Sequence, residues 1–443
     1  MKLEGKSLKR DFLRYIIPSI VAQWVFTLYT IVDGIFVAQG VSEMALTAVN
    51  ISMPFTTALF SVSILFAVGN STVVAIALGA KKLKEANHAF TQNLVFLGIL
   101  SVIISALVLL NLNSIVDFLG ATTATRQYIK EYVGTIAPFA IVFVFSYSFE
   151  MLIKTDGFPK KAMMIVVSGA VLNCILDYIF VMVLHEGVFG AAFATGISQT
   201  VVCVLYLAHF LSKHSTLKFS KFRWKWALIL REFKNGMSSG LIEFSSGFYI
   251  FIFNQMIIWN LHENALVSFS VIAYVNALVV MSMAGIAQGG QPLISYYYGQ
   301  ERLDKCKKLL RYGLVAAGVM AAAFMGVYFI GTNLIISMFI SEKLVALREY
   351  TATVFRIFSL SYLVVGFNIV IGGYFTAREK PFQAFTISLS RGFILIVLSL
   401  FLMTAIFGGE GIWWAPLVSE SICLLLSLWF LKRAKKTSEI KPA

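Results

Sequence analysis

The sequence predicts an all-α polytopic membrane protein: twelve transmembrane helices in two pseudo-symmetric six-helix bundles, set as parallel repeats around a central cleft. Three observations carry that prediction. Of 443 residues, 58% are hydrophobic and only 13% charged, against roughly 45–50% and about 25% in soluble domains. Apolar runs long enough to cross a hydrocarbon core roughly 30 Å thick recur along the chain. The chain also repeats itself at an offset near 220 residues.

Apolar stretches, read against charged or Gly/Pro-rich breaks, give spans over about 14–38, 46–78, 88–111, 131–153, 162–184, 189–211, 236–259, 265–298, 309–330, 350–376, 382–407 and 411–431. The first follows Lys2, Lys6, Lys9, Arg10 and Arg14. No A-x-A-like site closes a short apolar region and the run continues past Pro18, so it reads as a retained span rather than a signal peptide. Thirty of the 36 Lys and Arg residues fall on the side of the termini; Arg126, Lys130, Lys343 and Arg348 fall on the other, and Arg356 and Arg391 lie inside spans. By the positive-inside rule both termini are expected in the cytoplasm, here of a bacterial plasma membrane.

At an offset of 220, Ala67, Gly69, Gly79 and Leu83 match Ala287, Gly289, Gly299 and Leu303. At 222, Pro159, Ala162, Ile165, Ser168 and Leu176 match Pro381, Ala384, Ile387, Ser390 and Leu398; at 221, Gly190 and Ser198 match Gly411 and Ser419. Each half has six spans and starts on the same side, so the repeats are related by an axis along the membrane normal, which leaves a cleft between two lobes. The expected division is a first lobe over 1–211, a cytoplasmic amphipathic linker over 212–235, a second lobe over 236–431 and a basic tail over 432–443. Seven basic residues and interleaved aromatics suit the linker to a helix on an anionic membrane surface.

The net charge of +14 sits in short loops, which points to topology and away from nucleic acid. Cys174, Cys203, Cys306 and Cys423 are isolated, with neither disulfide nor metal spacing. All five histidines fall at span ends or in loops, so no buried histidine-based site is expected. No GxxxxGK[ST] motif occurs, and no enzymatic activity is expected.

A charged side chain at mid-bilayer costs about 2.5–3.5 kcal/mol on insertion scales, so acids inside spans should face a cavity or a partner. Five such acids stand out: Asp33, Glu150, Asp177, Glu243 and Glu420. Counting about 1.5 Å per residue from the span ends puts Asp33, Asp177 and Thr195 in the outer half of the first lobe. Asn173 and Asp177, at i and i+4, share one helix face. Two carboxyls brought together in a dry site retain a proton between them; the same oxygens with Asn173 and Thr195 suit a sodium ion, and the sequence does not separate the two. At the aligned positions Asp33 becomes Asn254, Asn173 becomes Leu395 and Asp177 becomes Ser399, so this candidate ion-coupling site belongs to one lobe.

Arg356, Arg391 and Glu420 read as a structural polar network in the second lobe, with Arg391 paired to Glu420. Glu243, aligned with Gln23, stands evenly between that network and substrate contact. Glu150, near the inner end of span four, either draws cations in or snorkels to water. Tyr29, Tyr147 and Tyr274 are candidate cation–π surfaces, and Gln23, Asn254, Gln288 and Gln291 complete the substrate-binding or gating candidates. Gly69, Gly79, Gly289 and Gly299 are expected to permit close packing.

These landmarks resemble the multidrug and toxic compound extrusion (MATE) family. The matching residues are Pro18 and Asp33, "LGAKKLKEA" after span two, "KTDGFPKKAM" after span four, "LNCILDYIF" in span five, "GAAFATGISQ" in span six and "AQGGQPLISYYYGQ" in span eight. The resemblance covers nearly the whole chain, in order. It implies two six-helix bundles and places the coupling site at Asp33, Asn173, Asp177 and Thr195, as in branches with an N-lobe site. The sodium-coupled branch typically adds an acidic pair on spans seven and ten; here Glu243 is present, but span ten, "TATVFRIFSLSYLVVGFNIVIGGYF", contains no acid.

The expected function is secondary active multidrug efflux: an antiporter exporting amphipathic, mostly cationic organic compounds in exchange for inward protons, or sodium ions, by alternating access. One charge moving through 100 mV supplies about 2.3 kcal/mol. No cofactor beyond the coupling ion is expected, and the partners are organic cations and membrane lipids of a monomer. A flippase for lipid-linked saccharides is the nearest rival and would favour a cleft rich in Arg and Lys. A membrane receptor or scaffold would need neither the acidic cluster nor the cleft.

Overall fold

A computed structural model describes residues 7–439; Lys2, Lys6 and the last four residues of the basic tail lie outside them. The described secondary structure is entirely helical. Twelve helices are long and apolar enough to cross a membrane: α1 (Leu8–Gly40), α2 (Met44–Gly79), α3 (Leu83–Leu110), α4 (Arg126–Thr155), α5 (Pro159–Val183), α6 (Gly187–Leu211), α7 (Trp226–Asn260), α8 (Asn264–Gly299), α9 (Leu303–Ser337), α10 (Val345–Ala377), α11 (Pro381–Phe407) and α12 (Gly409–Ala434). A short helix, Leu112–Phe118, bridges α3 and α4, and its Asp117 pairs with Arg126. Twelve crossings bring the chain back to its starting side, here the termini end.

Local sequence explains where the helices begin. Ser42 caps α2 by accepting the Ala45 N–H at 3.1 Å, and Pro159 and Pro381 open α5 and α11, where a fixed φ and a missing N–H cost nothing. The turns repeat too. Lys81 and Glu301 are both left-handed at φ 61°, and Gly157 (φ 104°) has Glu379 (φ 50°) in its place one repeat later. The repeat is therefore one of backbone conformation as well as residue type.

Three seams join the halves: α1 against α8, α2 against α7 and α2 against α8. At the termini end, glycines let their backbones touch. A Cβ on Gly79 would lie 2.0 Å from Tyr296 O, and one on Gly299 would lie 2.1 Å from Ile76 O; each contact is the other displaced by one repeat. Gly69 and Gly236 abut Glu232 O and Leu65 O in the same manner, and Gly289 and Gly285 abut Ile16 and Ile20. Any larger residue would wedge the halves apart. Phe12, Tyr15 and Ile16 of α1 share a buried core with Leu293, Ile294 and Tyr297 of α8.

The linker departs from expectation. In place of a surface helix over 212–235, residues 212–225 form an extended strap, and Trp226 already begins α7. Polar side chains supply the partners that a helix would have provided. The N–H groups of Thr216, Lys218, Ser220 and Lys225 are accepted by Asp156 Oδ1 (2.9 Å), Asn87 Oδ1 (3.0 Å), Thr91 Oγ1 (3.1 Å) and Gln92 Oε1 (3.2 Å). Asp156 is buried and also accepts from His209 Nε2 at 2.9 Å, while Lys161 Nζ lies 3.2 Å from His209 Nδ1. A lysine donor at Nδ1 leaves the ring proton on Nε2. Burial alone would raise the Asp156 carboxyl, but donors from His209, Thr216 and Ser215 outweigh it and hold the group below its ordinary 3.8.

Candidate functional site

Packing of α1 on α5 brings Asp33 to Asp177. Asp177 is fully buried, and Asn173, one turn earlier, is 1% exposed. The helix changes to a π turn at the next residue, Tyr178–Val183, a local widening that often accompanies functional side chains. Asn173 Nδ2 donates to Thr195 Oγ1 at 3.4 Å, and the Thr195 hydroxyl donates on to Ala191 O at 3.1 Å. All four residues predicted from sequence therefore meet.

No donor from a neighbouring residue reaches Asp33 Oδ1, Asn173 Oδ1 or either oxygen of Asp177. The hydrogen bond open to the two carboxyls is one that they share. Buried polar atoms are nearly always satisfied, so four oxygens without donors in one place are what a proton or a hard cation would satisfy. Tyr29 and Tyr132 lie within electrostatic range of both acids.

Between the halves lies a cavity of about 1220 Å³, counting the part open to solvent. Gln23, Tyr147, Glu150, Glu243, Gln288 and Gln291 line it, among walls that include Phe26, Phe60, Met281 and Ile369. Gln23 Nε2 donates to Gln288 Oε1 at 2.9 Å, and Gln291 Nε2 donates to Thr72 Oγ1 at 2.8 Å. Glu150 is not solvated but bound at 2.6 Å to Lys154, a lysine buried one turn later. Glu243 has no basic partner among the described residues, and no Lys or Arg lines the cavity. A recess sharing Phe26, Tyr147 and Glu150 continues from the cavity to Tyr29 and Asn173, one helical turn from Asp177.

The MatE family model matches residues 18–179 and 241–409. The chain belongs to the MatE family. It is similar to the multidrug export protein MepA of Staphylococcus haemolyticus, 23% identical over 434 residues that cover 97% of this chain and 94% of that protein. MepA of Staphylococcus aureus is 23% identical over 433 residues, covering 96% and 94%. Among solved structures, an outward-facing multidrug resistance MATE family transporter of the MOP superfamily matches with TM-score 0.92 at 21% identity, over 98% of this chain and 97% of that one. A MOP superfamily transporter from Pyrococcus furiosus whose binding pocket has reverse polarity matches with TM-score 0.90 at 21% identity, over 96% of each. The MatE chain thus has the twelve-helix fold over 96–98% of its length.

Three sequence candidates of this MatE chain fall elsewhere. Tyr274 is 58% exposed and stacks on Phe339 at 5.8 Å. Asn254 is half-buried on α7, outside the cavity lining. Arg356 is exposed on α10 and takes no part in the second-half network. That network is Arg391 Nε on Glu420 Oε1 at 2.6 Å, Asn368 Nδ2 on Glu420 Oε2 at 2.8 Å, and Ser427 Oγ on Asn368 Oδ1 at 3.1 Å. Residue counting along a helix gives depth and not facing, which is where these three assignments failed.

A buried acid that cross-links the halves escaped the sequence reading. Glu232 on α7 accepts from Asn70 and Asn93 at 2.8 Å each and so cross-links the halves at the termini end. Beside it, Arg231 grips Glu379 through two N–H groups at 2.7 Å. The polar run "REFKNG" looks like a loop because its partners are remote in sequence.

Proposed function

We propose that this MatE protein is a secondary active multidrug efflux antiporter, exporting amphipathic, mostly cationic organic compounds in exchange for inward protons by alternating access. The observation that carries the reading is the cavity: apolar and aromatic walls, no basic residue in its lining and, beside the Lys154-bound Glu150, an acid with no basic partner among the described residues, Glu243. A flat organic cation finds both apolar burial and a charge partner there. The names of the MepA relatives support drug export. A lipid-linked saccharide flippase would call for several bases to hold a pyrophosphate; this lining offers none, and next to it stands only Arg391, already paired with Glu420.

The coupling ion binds at Asp33 and Asp177. Two carboxyls in a dry site repel unless a proton or cation joins them; sodium, held with Asn173 and Thr195, is the alternative occupant. The recess beside Glu150 lets charge in the cavity and charge at the pair influence one another. Lys and Arg distribution supports a cytoplasmic termini end in a bacterial plasma membrane, so closure at that end corresponds to an outward-facing state. The protein works as a monomer without a cofactor.

The test is dye efflux in proteoliposomes driven by an imposed pH gradient without sodium. Wild type is expected to respond, and Asp177→Asn to lose at least tenfold while inserting normally. Unchanged efflux in the variant sinks the coupling role, and a strict sodium requirement overturns the proton.

A further inference from the structure

The cavity does not end at Glu243. A second one, of about 1150 Å³ counting its open part, runs into the second half and shares Ile242, Ser246, Val280 and Met281 with the first. Arg391 and Glu420 line it, their side chains 13% and 12% exposed. Arg391 is carried by a π turn, Ser390–Ile394, whose Gly392 packs so closely on α7 that a Cβ there would lie 2.6 Å from Ser245 Cβ. Ser245 is two residues past Glu243, about 3 Å along the helix axis. The backbone that carries Arg391 therefore meets α7 close to Glu243, and the two side chains line adjoining cavities.

The ion pair is saturated on one side only. Glu420 gives Oε1 to Arg391 and Oε2 to Asn368. Arg391 gives only its Nε; among the described residues nothing accepts from its terminal nitrogens, which keep four N–H donors in a planar fork. Such a fork matches a carboxylate, and Phe269, Phe358 and Ile396 give the same cavity apolar wall.

We infer that this second cavity is a subsite for the carboxylate of zwitterionic amphiphiles, anchored by Arg391 while the ligand's cationic end meets Glu243; the inference rests on the export reading above. A simple anion is disfavoured, because Glu420 already offsets the guanidinium and Glu243 repels negative charge. A zwitterion answers both sites and brings no net charge into the cavity.

Rhodamine 123 and rhodamine 110 make a matched pair of probes, since the first is the methyl ester of the second and only the second has a free carboxylate. Their binding is measured by fluorescence polarisation on the full-length protein in nanodiscs. Arg391→Gln alone strands a buried acid, so the double variant Arg391→Gln/Glu420→Gln, which removes both charges at constant size, is the decisive one. It is expected to lower the affinity for rhodamine 110 relative to rhodamine 123 at least fivefold, whereas Glu243→Gln weakens both dyes. Binding of rhodamine 123 with an unmoved ratio sinks the subsite alone. Failure of wild type to bind either dye sinks the export reading together with it.

Discussion

Asp177 in α5 and Glu420 in α12 are both acids inside a membrane helix, the first fully buried and the second 12% exposed, and their surroundings differ in kind. Glu420 has a guanidinium on one oxygen and an amide on the other, and so holds α10, α11 and α12 together. Asp177 has no donor on either oxygen and a second carboxyl as its neighbour. Intramembrane position alone does not separate a fastener from an ion site; the donors around the acid do.

The sharpest way to break the contrast is stability. Glu420→Ala leaves Asn368 and the half-buried Arg391 without their acceptor and is expected to cost about 2–3 kcal/mol, seen as a lower melting temperature in detergent. Asp33→Asn with Asp177→Asn relieves repulsion and should melt at or above wild type. Equal destabilisation by the two changes would erase the distinction.

A second test asks whether the halves separate at the seam. Gly79→Leu drives a side chain into Tyr296 O, whereas Gly326 has nothing within 4 Å of an added Cβ. Spin labels at Lys82 and Arg302, exposed just beyond α2 and α8, should show a longer distance as the major population in Gly79→Leu and the wild-type distance in Gly326→Ala.

The smallest effect concerns the strap. Because Asp156 is held below its ordinary 3.8, its ionised form contributes stability above that pH and loses it as pH falls through the lower folded value. Asp156→Asn should cost about 1–2 kcal/mol at neutral pH, with the gap closing below pH 4. Trypsin cleavage at Lys213 or Lys218 reports it, faster in the variant at pH 7.

The twelve helices and the acid cluster were legible because the bilayer makes them so: apolar length is required, and a carboxylate inside it is rare enough to notice. Depth and i, i+4 spacing set Asp33, Asn173 and Asp177 in one region, and the family resemblance added Thr195 to them. Glu232 was not legible, since "REFKNG" is as polar as any loop and only Asn70 and Asn93, far away in sequence, make it an interior segment. Tyr132, near the acid pair on α4, gave no signal beyond being aromatic. Azimuth around a helix is set by neighbours, and a single sequence does not name them.

The strap carries one more consequence. Its last residue, Lys225, is bound through its N–H to Gln92, and α7 starts at the next residue. No slack remains between the first half and the helix that leads the second. The connection is a hinge and not a leash: a swing of the second half must pivot at Trp226, and a pull on the strap is felt at once by α3.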